Sequence, residues 1–189
     1  MGGPSHVPAV DSSVGRLAQT PREVVDAIEG RTDDQLSRRP DAQNWSPTEI
    51  ICHLRDVEEL FQVRFHTILA VHEPTIFVLG ASASELAPWR VGDAIGHPLD
   101  PARWAKERQY ARNDPREALA AFARRREDVL TLLRSLTAED WQRVGVHPAR
   151  GRLTLRDWVS SLAGHDDNHL DQLRRALDGP PRTSKEERT

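Results

Sequence analysis

Three histidines carry the chemistry this sequence offers: His53, and the pair His165 and His169 in the run Gly164-His165-Asp166-Asp167-Asn168-His169. Residues four apart share one face of a helix, so His165 and His169 can grip one ion together. His53 falls on a separate helical pattern and offers a third nitrogen. Three imidazoles leave a divalent metal with an open coordination position, the arrangement of catalytic rather than structural zinc. An isolated histidine on an apolar face is usually a core residue bonded to a neighbour, and HxxxH pairs arise by chance. The third inward-facing histidine tips the balance toward metal. His6, His66, His72, His97 and His147 have no partner at ligand spacing, although His147 lies close enough to the fourth helix to line a mouth.

Other polar residues near the histidines have competing roles. Asp56 stands one turn beyond His53 and suits an acceptor for its ring or a base beside metal-activated water; pairing with Arg55 or Arg64 is the plainer alternative. Glu49 already has a place in a helix cap. Asp166 and Asp167 point a quarter-turn or more from the histidines, which suits a supporting or solvent-facing role better than ligation. Cys52 faces the Arg55–Glu59 side of its helix, away from His53. Gln172 follows His169 by three residues and either bonds a substrate or fills the core.

The elements that must position these residues announce themselves at their starts. Thr20-Pro21-Arg22-Glu23, Ser46-Pro47-Thr48-Glu49 and Asp114-Pro115-Arg116-Glu117 each place a capping side chain before Pro, with Glu three residues after the cap. Thr154-Leu155-Arg156-Asp157 repeats the logic without Pro. The cap oxygen accepts from a free backbone N–H, and the acid reaches back to the N–H of the cap. Four such boxes predict helices near 21–29 (continuing in a second piece over 33–39), 47–71, 115–136 and 154–178. Gly30, Pro74 and Gly179-Pro180-Pro181 supply the stops. No segment shows β-branched alternation, so the expected fold is all-α, a four-helix bundle. The 72–113 connection is too long for a plain loop and carries a short helix after Asp100-Pro101; as a crossover it lets the second and third helices run parallel. Trp89 and Trp104 in it suit a lid over the site, an arm to a second subunit, or a roof on the core.

Stripes at three- and four-residue spacing aim the histidines inward. Trp158, Leu162, His165, His169, Gln172 and Ala176 share one face of the fourth helix. Ile50, Leu54, Val57, Phe61, Phe65 and Ile68 line the second, with His53 beside them. Facing helices of a bundle commonly build metal sites in this way.

Composition excludes several classes. The 189 residues suit one domain, placed over 16–180, with loose tails at 1–15 and 181–189. Apolar residues at 38% and charged residues at 29% are ordinary for a globular chain. A net charge of −3 with mixed signs argues against nucleic acid, and Arg124-Arg125-Arg126 reads as one solvated helix turn. No stretch approaches a membrane span, there is no signal-peptide core, and the single cysteine forms no internal disulfide, so a cytoplasmic protein is expected.

The order Trp45-Ser46-Pro47, lone His53, then the HxxxH of Gly164-His165-Asp166-Asp167-Asn168-His169-Leu170-Asp171-Gln172 resembles the DinB-like superfamily, in particular its YfiT-type members. Trp104-Ala105 and Pro115-Arg116-Glu117-Ala118-Leu119 resemble its middle region, and the likeness covers about residues 20 to 178. The resemblance implies a four-helix bundle with a divalent metal, zinc or nickel, on His53, His165 and His169, and a homodimer. It implies an enzyme acting on a small-molecule substrate. The first expectation is an S-transferase using a bacterial low-molecular-weight thiol (mycothiol, bacillithiol or glutathione). The alternatives are a hydrolase working through metal-bound hydroxide, and a non-catalytic metal- or ligand-binding stress protein. Asp56 is the candidate catalytic residue and Gln172 the candidate binding residue.

Overall fold

The computed structural model describes residues 8–76 and 100–178. Helices α1 (Pro8–Ile28), α2 (Asp33–Ser37) and α3 (Pro47–Ala70) are followed by a short α4 (Pro101–Glu107), then α5 (Pro115–Ser135) and α6 (Leu155–Asp178). Two strands, β1 (Val144–His147) and β2 (Gly151–Thr154), form an antiparallel hairpin before α6. The architecture is a four-helix bundle of α1, α3, α5 and α6. Among the described residues no helix is long and apolar enough to cross a membrane. Most of the 72–113 connection, with Trp89 and His97, lies outside the described residues, as do 1–7 and 179–189. Trp104 stands half-buried on α4, with the Arg108 guanidinium 4.6 Å from its ring.

Three of the four predicted caps form, two of them as full reciprocal boxes. Ser46 accepts from the Glu49 N–H at 3.3 Å while Glu49 Oε2 accepts from the Ser46 N–H at 2.9 Å. Thr154 and Asp157 repeat this exchange at the start of α6. Asp114 accepts from the N–H groups of Arg116 and Glu117, although Glu117 does not reach back.

The fourth differs. Helix α1 starts at Pro8, inside the stretch expected to be loose, and runs straight through Thr20-Pro21. Proline has no N–H to give the carbonyl four residues earlier, that of Leu17. Arg126 Nη1 donates to that carbonyl at 2.8 Å instead. The Thr20 hydroxyl, expected at a cap, donates to Asp166 Oδ2 at 2.8 Å. A partner 109 residues away in sequence therefore keeps the helix continuous. Its end is as expected, with Gly30 at φ +71° closing the turn after Ile28.

The hairpin is the other departure from an all-helical expectation. Its strands are four residues each, too short to alternate visibly, and Gly151 at φ +72° makes the turn. Gly145 meets Ile68 and Ile76 so closely that a Cβ would lie 2.9 Å from their carbons. Bare backbone is what lets β1 seat against α3.

A polar layer divides the core. On one side Leu17, Val57, Phe61, Phe65, Val129, Leu133, Trp158 and Leu162 pack together. On the other are Val24, Ile50, Leu54, Tyr110, Phe122, Leu170 and Leu173. Between them each long helix contributes one buried polar residue: Thr20, Glu58, Arg126 and Asp166. Arg126 is 1% exposed, so the arginine run is not a solvated turn throughout. Its guanidinium donates to both oxygens of Glu58, at 2.8 and 2.5 Å, and to Asp166 Oδ2 at 2.7 Å. A charge removed from water needs such partners. Burial raises the Glu58 pKa despite Arg126. For Asp166 burial pushes the same way, but His165 and Arg126 outweigh it and hold the carboxyl below its ordinary value.

Candidate metal centre

Helices α3 and α6 face each other with opposite direction: His53 meets His165, and two turns on Phe61 meets Trp158. This brings the three predicted histidines together at the edge of the polar layer. His53 Nε2 and His165 Nε2 are 3.1 Å apart. One nitrogen from each of the three rings lies within 4.8 Å of the others. Two nitrogens on one tetrahedral zinc, at about 2.0–2.1 Å each, stand about 3.3 Å apart, so the His53–His165 pair is already at ligand spacing.

Two further features suit the rings to an ion. His53 is 3% exposed, and burial, with His169 and His165 adding to it, lowers its pKa to about 2. Burial first, then His165, lowers that of His169 to about 4. Both are therefore neutral near pH 7, which is the ligating form. Gln172 Oε1 lies 2.7 Å from His169 Nδ1. An amide oxygen there accepts from Nδ1–H and leaves the Nε2 lone pair for the cluster. Gln172 thus touches a candidate ligand. Trp45 walls the site, edge-on to His53 at 5.0 Å between ring centroids and stacked on His169 at 6.4 Å.

The remaining candidates lie elsewhere. Asp56 is buried and saturated: Arg55 Nε donates at 2.8 Å, the Tyr110 hydroxyl at 2.8 Å, and Arg108 approaches to 2.9 Å. Burial works to raise its pKa, but Arg55 and Tyr110 overcome this and hold it low. It makes no bond to His53, whose Nδ1 is buried without a hydrogen-bond partner. Cys52 packs against the Tyr110 carbonyl, 3.9 Å away, and burial pushes its thiol up to about 11. His147 Nδ1 accepts from the N–H groups of Ala149 and Arg150 in the hairpin turn and its ring lies over Trp158, so it serves the turn. Glu49 pairs with Arg39 as well as its cap. His66 and His72 are exposed. Asp167 bonds Arg16 on α1 at 2.5 Å. Asp166, placed by sequence in a supporting or solvent-facing role, sits in the buried layer.

A cavity of about 520 Å³ opens beside His169, lined also by Trp45, Gln172, Asn44, Asn168 and Arg175. Its volume suits a small organic molecule. The sequence signal for it was slight: Gln172, Arg175 and Ala176 continue the helical face of His169.

The family model described as the DinB superfamily matches residues 16–173. The chain belongs to the DinB superfamily. It is 25% identical to the uncharacterized protein YuaE of Bacillus subtilis strain 168, over 80% of this chain and 89% of that one. It is 23% identical to YfiT of the same organism, over 85% of this chain and 79% of YfiT. The solved structure of YfiT superposes with a TM-score of 0.73 at 21% identity, covering 95% of both chains. YfiT is described as a probable metal-dependent hydrolase with an unusual four-helix bundle topology. The likeness shows that this DinB-superfamily chain has the YfiT fold.

Proposed function

We propose that the chain is a divalent-metal-dependent enzyme that joins a small thiol to an electrophile, R–SH + R′–X giving R–S–R′ + HX, with His53, His165 and His169 as the metal ligands. The convergence of three imidazoles beside a cavity of about 520 Å³ carries this reading. When bound, an ion on neutral ligands keeps its full charge and lowers the pKa of a coordinated thiol or water. Zinc or nickel fits the nitrogen donors. Gln172 fixes the His169 ring, Trp45 shields two of the rings from water, and Asn44, Asn168 and Arg175 offer polar contacts to what enters. The lone cysteine, buried with a raised pKa, is unsuited as a nucleophile, so the sulfur comes with the substrate.

The test is to incubate metal-loaded protein with bacillithiol, mycothiol or glutathione and monobromobimane. Acceleration over metal-free protein is expected with one of them, and its absence with all three overturns the transferase reading. A second reading, hydrolysis, has the description of YfiT in its favour. Turnover of an ester or amide panel without thiol would establish it. Asp56 would not be its base, since three donors already occupy that carboxylate. In either reading we take the working form to be a homodimer in the cytoplasm; a single 21.3 kDa species in sedimentation at micromolar concentration overturns the first half of that statement.

A further inference from the structure

Directly behind the histidines lies the buried charge layer, and one of its members nearly touches the cluster. Asp166 Oδ1 is 3.8 Å from His165 Nδ1, about one ångström beyond a hydrogen bond. That nitrogen is buried and has no hydrogen-bond partner. The other oxygen, Oδ2, is held from two sides by the Thr20 hydroxyl at 2.8 Å and by Arg126 Nη1 at 2.7 Å. A carboxylate 1% exposed is thus anchored by one oxygen while the other faces an unsatisfied ring nitrogen.

We propose that Asp166 is the positioning carboxylate of His165: the Nδ1–H of His165 donates to Asp166 Oδ1 when Nε2 serves as ligand, and Thr20 and Arg126 hold the carboxylate in place. The inference rests on the metal reading. It gives His165 what Gln172 gives His169, a fixed tautomer and ring orientation, with the added basicity that a carboxylate confers on a ligating imidazole. Because Thr20, Glu58, Arg126 and Asp166 come from four different helices, ring orientation at the site depends on the packing of the whole bundle.

Metal affinity, measured by competition with a chromophoric chelator, tests this on the full chain. Asp166→Asn should weaken zinc binding by about 10- to 100-fold. Glu58→Gln is the control, because it disturbs the same arginine while its carboxylate hydrogen-bonds Arg126 and no histidine. It should lower thermal stability while leaving zinc affinity within about threefold of the parent. Equal losses in the two variants, or an unchanged affinity in Asp166→Asn, overturn the proposal and leave the metal reading intact. A parent chain that binds no zinc overturns both. Should Asp166→Asn fail to fold, the zinc-loaded parent still decides. A slowly exchanging, low-field Nδ1 proton on His165 in nitrogen-edited NMR is expected, and a proton in fast exchange with water overturns the assignment.

Discussion

Replacing Arg126 with Met keeps most of its volume over Phe122 and removes its charge. Four donations vanish: two to Glu58, one to Asp166 and one to the Leu17 carbonyl. Glu58 and Asp166, at 0% and 1% exposure, lose their counterion. The Leu17 carbonyl has no helical donor to fall back on, because residue 21 is proline. Removing one partner of a buried ion pair costs about 3–5 kcal/mol. An orphaned carbonyl adds about 1–3 kcal/mol, which proton uptake by the stranded carboxylates partly offsets. A net loss of about 3–5 kcal/mol corresponds to a fall in Tm of about 6–20 °C for a chain of this length. The loss should depend on pH, with a sign that follows from linkage. Without Arg126 the folded pKa of each carboxyl rises above its unfolded value, so the variant is least handicapped in mild acid and most handicapped as pH rises through those folded values. Thermal melts of parent and Arg126→Met at pH 5 and pH 8 decide it. A Tm difference under about 3 °C, equal at both pH values, would refute the claim that this guanidinium is the counterion of the core.

Alanine at His53, His165 or His169 should each strip most of the metal from protein purified without a nickel column, whereas His66→Ala should not; full occupancy in His53→Ala on elemental analysis would confine the site to α6. Metal-free protein should be most stable above about pH 6.5 and weaken toward pH 4, because His53 and His169 stay neutral when folded but take up protons when unfolded. The slope is about 1.4 kcal/mol per pH unit for each histidine; urea titrations giving His53→Gln the same slope as the parent would count against it. Gly145→Ala should cost about 1–3 kcal/mol, since the new methyl meets Ile68 and Ile76 at 2.9 Å. An unchanged urea midpoint would show that the hairpin seats less tightly than described.

What the sequence disclosed was whatever a local pattern can encode. Capping boxes at Ser46, Asp114 and Thr154 specify helix starts because cap and acid are three residues apart. The spacing of His165 and His169 specifies a shared face for the same reason. What it concealed depends on partners far along the chain. Thr20-Pro21 has the form of a helix start, and only Arg126 on α5 makes it a helix interior. The arginine run reads as solvated by composition, yet Arg126 sits four residues after Phe122 and three before Val129, both buried, a periodic signal that outweighs the charge run. The pairing of Asp56 with Arg55 was one of its two sequence readings, but Tyr110 and Arg108, which also bind it, follow by more than fifty residues and gave no local sign. Trp45, ahead of its cap, gave no periodic hint that its ring would lie against His169.

The separation of 112 residues between His53 and His165 has a consequence for when an ion can be captured. His165 and His169 come into register as soon as one helix forms, an event on the microsecond scale that requires no other part of the chain. His53 joins them only after α3 has docked on α6 and the intervening loop has closed. With the proposed ligand set, capture would proceed by two points and then a third. A weak, local foothold would precede a tight one that reports the finished tertiary contact. The same logic runs backward: on that ligand set any motion that parts α3 from α6 would release the third ligand first, so ion retention would measure how long those two helices stay together.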